Sequence, residues 1–152
     1  MIIVKIMGGL GNQMFQYATA LAVAKRTRSE LVLDITGYQN MHPNDTPRTF
    51  DLDNYTISAK IATDAQLANI KESNTGYSLT DKLFRRLNHD GPIWKVNEPS
   101  ASYYSYIERA PNNSYLVGYW QNEKYFKNIR QQIIAEFAPK KPLTSYTQAI
   151  LK

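Results

Sequence analysis

The 152-residue chain has no cysteine, which excludes disulfides, thiolate metal sites and a cysteine nucleophile and is compatible with a reducing compartment. Its two histidines, His42 and His89, lie far apart, so spacing assembles neither a two-histidine metal site nor a Ser/His/Asp triad. Long hydrophobic runs are missing as well. The apolar N-terminal segment is shorter than a signal-peptide core, and no stretch approaches the length of a membrane-spanning helix. The expectation is a cytoplasmic protein, in which the glycosylation sequons at Asn44, Asn54 and Asn112 are coincidental. A formal charge of +5 would suit an anionic partner. The basic residues are nonetheless scattered, with no dense stripe of the kind nucleic acid requires.

What is present is enough for one folded domain: 43% hydrophobic and 20% charged residues are ordinary globular proportions, and 152 residues make one core of modest size. The chain is organised around Gly8-Gly9-Leu10-Gly11-Asn12-Gln13-Met14-Phe15-Gln16-Tyr17. Before it, Ile2 to Met7 is a short β-branched run, the mark of a strand covered on both faces. After the glycines, Met14, Ala18, Leu21, Ala22 and Lys25 recur at helical spacing and end among Lys25, Arg26 and Arg28, whose charge suits a helix C-terminus. Leu31 to Ile35 reads as a second buried strand. The unit is a parallel crossover in an α/β fold.

Glycines joining a buried strand to a helix let a ligand approach the backbone, and the helix N-terminus offers N–H groups to an anion or a sugar hydroxyl. Asn12 and Gln13 add side chains that both donate and accept.

Residues 37–48 read as a loop over the strand ends. Asp51-Leu52-Asp53 has the form of a metal-binding carboxylate pair, but Phe50, Leu52 and Tyr55 look like apolar anchors and no metal site is assigned. Thr63 and Gln66 form a capping box that opens a short helix running through Ile70 and Lys71. Residues 78–89 read as an amphipathic helix with Lys82, Arg85 and Arg86 on one face, which leaves peripheral contact with an anionic membrane as an alternative to a solvated surface. Tyr103, Tyr104 and Tyr106 are an aromatic cluster suited either to stacking on a sugar ring or to packing. Ser114 to Gln121 reads as a strand that delivers Trp120 and Gln121 to the same kind of strand end as the glycines, so the two turns could meet at one site. Asn122 then caps a helix whose apolar stripe is Tyr125, Phe126, Ile129, Ile133 and Phe137.

Two families compare with these residues. Gly9-Leu10-Gly11-Asn12-Gln13-Met14 matches the first two glycines of the dinucleotide fingerprint, with Asp34 near the expected ribose position, but Met14 replaces the third glycine. The run Gly8 to Ala18 resembles the opening motif of the α-1,2-fucosyltransferases, glycosyltransferase family 11, and Gly118-Tyr119-Trp120-Gln121-Asn122-Glu123-Lys124-Tyr125-Phe126 resembles a second segment of that family in the right order. Phe50-Asp51-Leu52 also fits a structural element of that family.

The resemblance implies a Rossmann-like parallel sheet flanked by helices, the N-terminal half of a GT-B-type enzyme, with residues 1–152 as a single acceptor-side domain. It implies transfer of L-fucose from GDP-fucose to the 2-hydroxyl of a terminal galactose with inversion, no metal required, in the building of surface polysaccharide. The partners so implied are a β-galactose-terminated acceptor and GDP-fucose. The donor would be held mainly by a C-terminal half whose H-x-R-R-x-D motif is absent here, so the chain alone is expected to be inactive. Carried over residue by residue, Asn12 is the group that orients the acceptor and stabilises the transition state, and Gly9, Leu10, Gly11, Gln13, Trp120 and Gln121 bind substrate. No general base is named; Asp34, Asp45 and His42 qualify by loop position alone. A Rossmann-type NAD(P)-dependent oxidoreductase and a non-catalytic glycan-binding module remain open alternatives.

Overall fold

A computed structural model describes residues 1–39, 46–71, 93–100 and 102–142. Within them the chain forms strand β1 (Ile2–Lys5), helix α1 (Leu10–Thr27), strands β2 (Leu31–Asp34) and β3 (Lys60–Ile61), helix α2 (Asp64–Ala68), strands β4 (Ile70–Lys71), β5 (Ile93–Asn97) and β6 (Ser114–Val117), and helix α3 (Arg130–Glu136). The strands make one six-stranded sheet of order β3-β2-β1-β6-β5-β4. Every pairing is parallel, with Ile2 opposite Leu31 on one side and Ser114 on the other.

The uninterrupted apolar runs of the central strands follow from burial on both faces. Ile2, Val4, Leu31, Leu33 and Leu116 belong to the larger core cluster with α1, while the alternate residues Ile3, Val32 and Tyr115 pack with Ile93, Leu67 and Ile70 on the opposite face. The buried side of α1 mixes the small residues Ala18, Thr19, Ala20 and Ala24 with the larger Gln13, Gln16, Tyr17, Leu21 and Val23. The helix closes with Arg28 in the left-handed conformation at φ 52°, while the Ser29 N–H reaches back to the Ala24 carbonyl at 2.9 Å. That closure satisfies the last carbonyls at the strain a non-glycine residue bears there.

Several expectations are corrected. Helix α1 begins at Leu10, so Gly11, Asn12 and Gln13 lie in its first turn and the side-chain-free loop shrinks to Gly8 and Gly9. The capping box forms as expected, Thr63 Oγ1 accepting from the Gln66 N–H, but the helix stops at Ala68 because Ile70 and Lys71 pair with Ile93 and Trp94. Strand β6 ends at Val117, four residues early. Asn122 caps a single 3-10 turn, Glu123–Tyr125, followed by a second at Lys127–Ile129, and only Arg130–Glu136 is α-helical. The break comes at Phe126 and Ile129, whose φ values of -135° and -119° are not helical. The tyrosine cluster flanks and enters a 3-10 helix, Ser105–Arg109, after strand β5. The amphipathic helix read at 78–89, together with His42, Asp45 and His89, lies outside the described residues. No described helix is long and apolar enough to cross a membrane.

Candidate active site

Strand β1 is where the sheet changes direction: the chain winds outward to β3 on one side, and on the other it starts at the far edge and returns inward to β6. A crevice at the carboxyl ends of β1 and β6 is the place such sheets hold ligands. The glycine turn leaves β1 there and the Gly118–Asn122 turn leaves β6 there.

The two turns meet. The Gln121 Nε2 donates to Asn12 Oδ1 at 2.6 Å, joining residues 109 positions apart. Glycine at position 8 makes this possible: its φ is 77°, and a Cβ there would stand 2.6 Å from Asn12 Nδ2. The cap position of helix α1 is Gly9, which has no side chain with which to cap it, and the helix's first turn holds no acidic residue. The positive end of an 18-residue dipole is therefore left without an internal counter-charge. The Arg48 guanidinium lies over the same point, its Nη1 3.7 Å from where a Cβ on Gly9 would be, and it makes no ion pair among the described residues.

Residues beneath and beside the crevice hold it in shape. Gln13 is fully buried; its Nε2 donates to the carbonyls of Gly8 at 3.0 Å and Thr49 at 2.8 Å, and its Oε1 accepts from the Asp51 N–H at 2.9 Å. The Tyr38 hydroxyl donates to the same Gly8 carbonyl at 2.9 Å. Burial first, and then the charge of Asp51, pushes that hydroxyl's pKa up to about 12. On the other side the Glu98 carboxylate accepts from the Tyr119 N–H at 2.7 Å and the Trp120 N–H at 3.0 Å, holding Trp120 at φ 55°. Tyr119, 45% exposed, is thereby presented beside the crevice, close enough to Tyr38 for their charges to interact.

Of the residues expected at the site, Gly9, Leu10, Gly11, Asn12 and Gln121 sit at the turn and first helical residues, with Gly11 and Gln121 exposed. Gln13 and Trp120 do not line it with their side chains. Gln13 is fully occupied by backbone groups, and the Trp120 ring lies wholly in the core, edge-on to Tyr125. Asp34 is 4% exposed and already accepts from Thr36 N–H and hydroxyl and from the Tyr115 hydroxyl, which leaves it neither free to bind a ribose nor placed to take a proton. Leu52 is buried as the anchor of the Asp51-Leu52-Asp53 segment, and Asp51 accepts from the Thr49 hydroxyl. Among the described residues no group of three His, Asp or Glu side chains could hold a metal ion. Tyr103 and Tyr125 pack together with ring centroids 5.0 Å apart, away from the crevice.

Arg48, Glu98, Tyr38 and Tyr119 were not singled out from sequence. A lone arginine in a loop over the strand ends was the one available signal; the other three depend on contacts across 20 to 30 residues that no local pattern displays.

No family model matches the chain, and no solved structure matches it. Two curated proteins of Escherichia coli do. An α-1,2-colitosyltransferase is 27% identical over 140 residues, covering 91% of this chain and 45% of its own length. The O-antigen biosynthesis glycosyltransferase WbnK is 27% identical over 143 residues, 86% of this chain and again 45% of its own. The chain thus spans about half the length of these relatives. Both are glycosyltransferases by name, and neither name refers to a nicotinamide cofactor. With its paired glycine and Trp-Gln turns on a parallel α/β sheet, the chain is similar to glycosyltransferases of the fucosyltransferase-like family 11.

Proposed function

We propose that the chain is the acceptor-side half of an inverting glycosyltransferase that moves L-fucose from GDP-fucose to the 2-hydroxyl of a terminal β-galactose. The observation that carries the reading is the Asn12–Gln121 hydrogen bond, which brings the two motif turns together at the uncapped start of α1. In the reaction the acceptor oxygen forms a bond to the anomeric carbon as the bond to the diphosphate breaks, and the GDP leaves with that electron pair. The acceptor proton passes to a general base.

Asn12 suits an orienting role in this step. Gln121 occupies its amide oxygen, so its Nδ2 hydrogens are fixed in direction without reorganisation when charge develops. The α1 N-terminus and Arg48 provide positive potential where the leaving diphosphate gathers charge, and arginine geometry suits phosphate oxygens. Tyr119 offers a ring for the apolar face of a sugar. The donor's remaining contacts belong to a second half, and the chemistry calls for no metal. A second reading, transfer of a colitosyl unit, is favoured by the name of one relative. The oxidoreductase alternative loses support from the sheet, whose order β3-β2-β1-β6-β5-β4 differs from the dinucleotide fold's 3-2-1-4-5-6, and from the engagement of Asp34. Peripheral membrane contact remains part of the proposal only through the basic residues of 78–89.

The test is to express the protein from its complete coding sequence and incubate it with a β-galactoside and either GDP-fucose or nucleotide-activated colitose. An α-1,2-linked product with one of them is expected. Asn12→Ala should lower kcat by about 10²–10³-fold with donor affinity nearly unchanged. No product with either donor, or saturable NAD(P) binding that shifts the amides of Gly9 to Asn12, would overturn the reading.

A further inference from the structure

Halfway along α1, on the side facing residues 107–129, lies a cleft of about 360 Å³ that the transfer reaction above does not use. It begins at Thr19, seven residues and therefore roughly 10 Å along the helix from Asn12, at 1.5 Å per residue. Its walls carry Lys25, Arg26, Lys124, Lys127 and Asn128, with Glu108 as the acidic member.

These cations are not equivalent. Arg26 is tied into the fold, its Nη2 donating to the Ala110 carbonyl at 2.5 Å. Lys124 lies over the Tyr103 ring at 5.4 Å. Glu108 is engaged by the Tyr103 hydroxyl. Lys25 and Lys127 form no ion pair among the described residues, so the rim keeps uncompensated positive charge.

The floor of the cleft gives an independent indication. Thr19 is fully buried, and its hydroxyl has no hydrogen-bond partner. A threonine inside a helix ordinarily bonds to the carbonyl four residues earlier. Thr27 of the same helix does this, donating to the Val23 carbonyl at 2.9 Å. A buried hydroxyl left unpaired is unusual; among the described residues Gln16 Nε2 and Trp120 Nε1 share that state, but of the three only Thr19 lines this cleft.

We propose that this cleft is a second binding site, for a small molecule carrying a phosphate group, held by Lys25, Lys127 and Lys124 at the rim and reaching toward Thr19 at the floor. The volume accommodates a sugar phosphate. Phosphate esters reach such a cleft from two sources, free in solution or as the headgroup of a lipid, and the experiment separates them.

The 152-residue chain, isotope-labelled, is titrated with inorganic phosphate and then pyrophosphate in low salt, with chloride at equal ionic strength as the control. Saturable shifts of the Thr19, Lys124, Lys127 and Asn128 amides are expected with phosphate and not with chloride. Lys127→Gln and Lys25→Gln, both at exposed positions, should each weaken binding about fivefold, the loss expected for one charge near 4 Å in a largely solvated setting. Thr19→Val keeps the shape of the side chain: weaker phosphate binding with retained folding supports the proposal, and unchanged binding overturns it. Sedimentation with phosphatidylglycerol vesicles but not phosphatidylcholine vesicles, lost in Lys127→Gln, assigns the lipid source; solution binding without sedimentation assigns the free one. Shifts that chloride reproduces, or that both lysine variants retain in full, overturn the proposal. None of these outcomes depends on glycosyl transfer.

Discussion

Replacing Gln13 by leucine tests whether the crevice is held from beneath. The glutamine is wholly buried and its amide makes three hydrogen bonds, to Gly8, Thr49 and Asp51 backbone groups. Each contributes about 1 kcal/mol net, and a donor left without an acceptor costs more. The Gly8 carbonyl keeps the Tyr38 hydroxyl, so its loss is the smallest, and the exposed Thr49 segment can turn to water. The apolar leucine recovers part of the deficit by burial. The expected destabilisation is about 2–3 kcal/mol, or a fall in Tm of roughly 4–12 °C for a chain of this length. Urea denaturation followed by circular dichroism, with an unchanged m-value, measures it. Gln121→Ala, at an exposed position, is the control and should cost less than about 0.5 kcal/mol. A Gln13→Leu variant as stable as that control would refute the idea that this amide fixes the turn.

Gly8→Ala should cost roughly 1–2 kcal/mol for its positive φ and also displace the Asn12 amide, which side-chain amide resonances would report as loss of the Asn12–Gln121 bond. Gly11→Ala meets nothing within 4 Å and sits in the first helical turn, so a gain of up to about 1 kcal/mol is expected by thermal melting, with narrower access for any ligand at that turn. Gly118→Ala would place a Cβ 2.3 Å from Glu98 Cβ and push the carboxylate off the Tyr119 and Trp120 N–H groups, giving a red-shifted tryptophan emission spectrum and lower stability. Because the Tyr38 pKa is raised in the folded state to about 12, its stabilising contribution is complete below the unfolded value near 10 and is lost as pH rises through 12. Tyr38→Phe should flatten that alkaline loss in denaturation midpoints measured between pH 9 and 12.

What was legible in the sequence is what local order can encode. The apolar runs of β1 and β2, the Thr63–Gln66 capping box and the Asn122 cap each depend on neighbours within four residues, and each is found where it was read. Ile70 and Lys71 carry the apolar-polar spacing of a helix end, yet pairing across the sheet with Ile93 and Trp94 makes them a strand. Gln13 was expected to offer its side chain to a substrate; its burial depends on the Thr49–Asp51 segment some 36 residues later, which no local pattern displays. Trp120 was expected to bind substrate, but Glu98 holds its backbone and the ring lies in the core. The meeting of Asn12 with Gln121 followed from two strand ends on one sheet, and needed only the correct neighbour relation of β1 and β6.

That neighbour relation also governs how the molecule comes into being. Strand β1 is made before the other strands of the sheet, but one of its two edges is completed only by β6, with Ile2 waiting for Ser114. At the usual pace of synthesis, 5–20 residues per second, the interval is on the order of 5–20 s. Closing a loop of this size is entropically expensive, and a sheet made only of parallel, distant pairings forms slowly. During that interval the nascent chain carries an unpaired edge on a largely apolar strand, so the central strand that positions the crevice is also the one most in need of a chaperone.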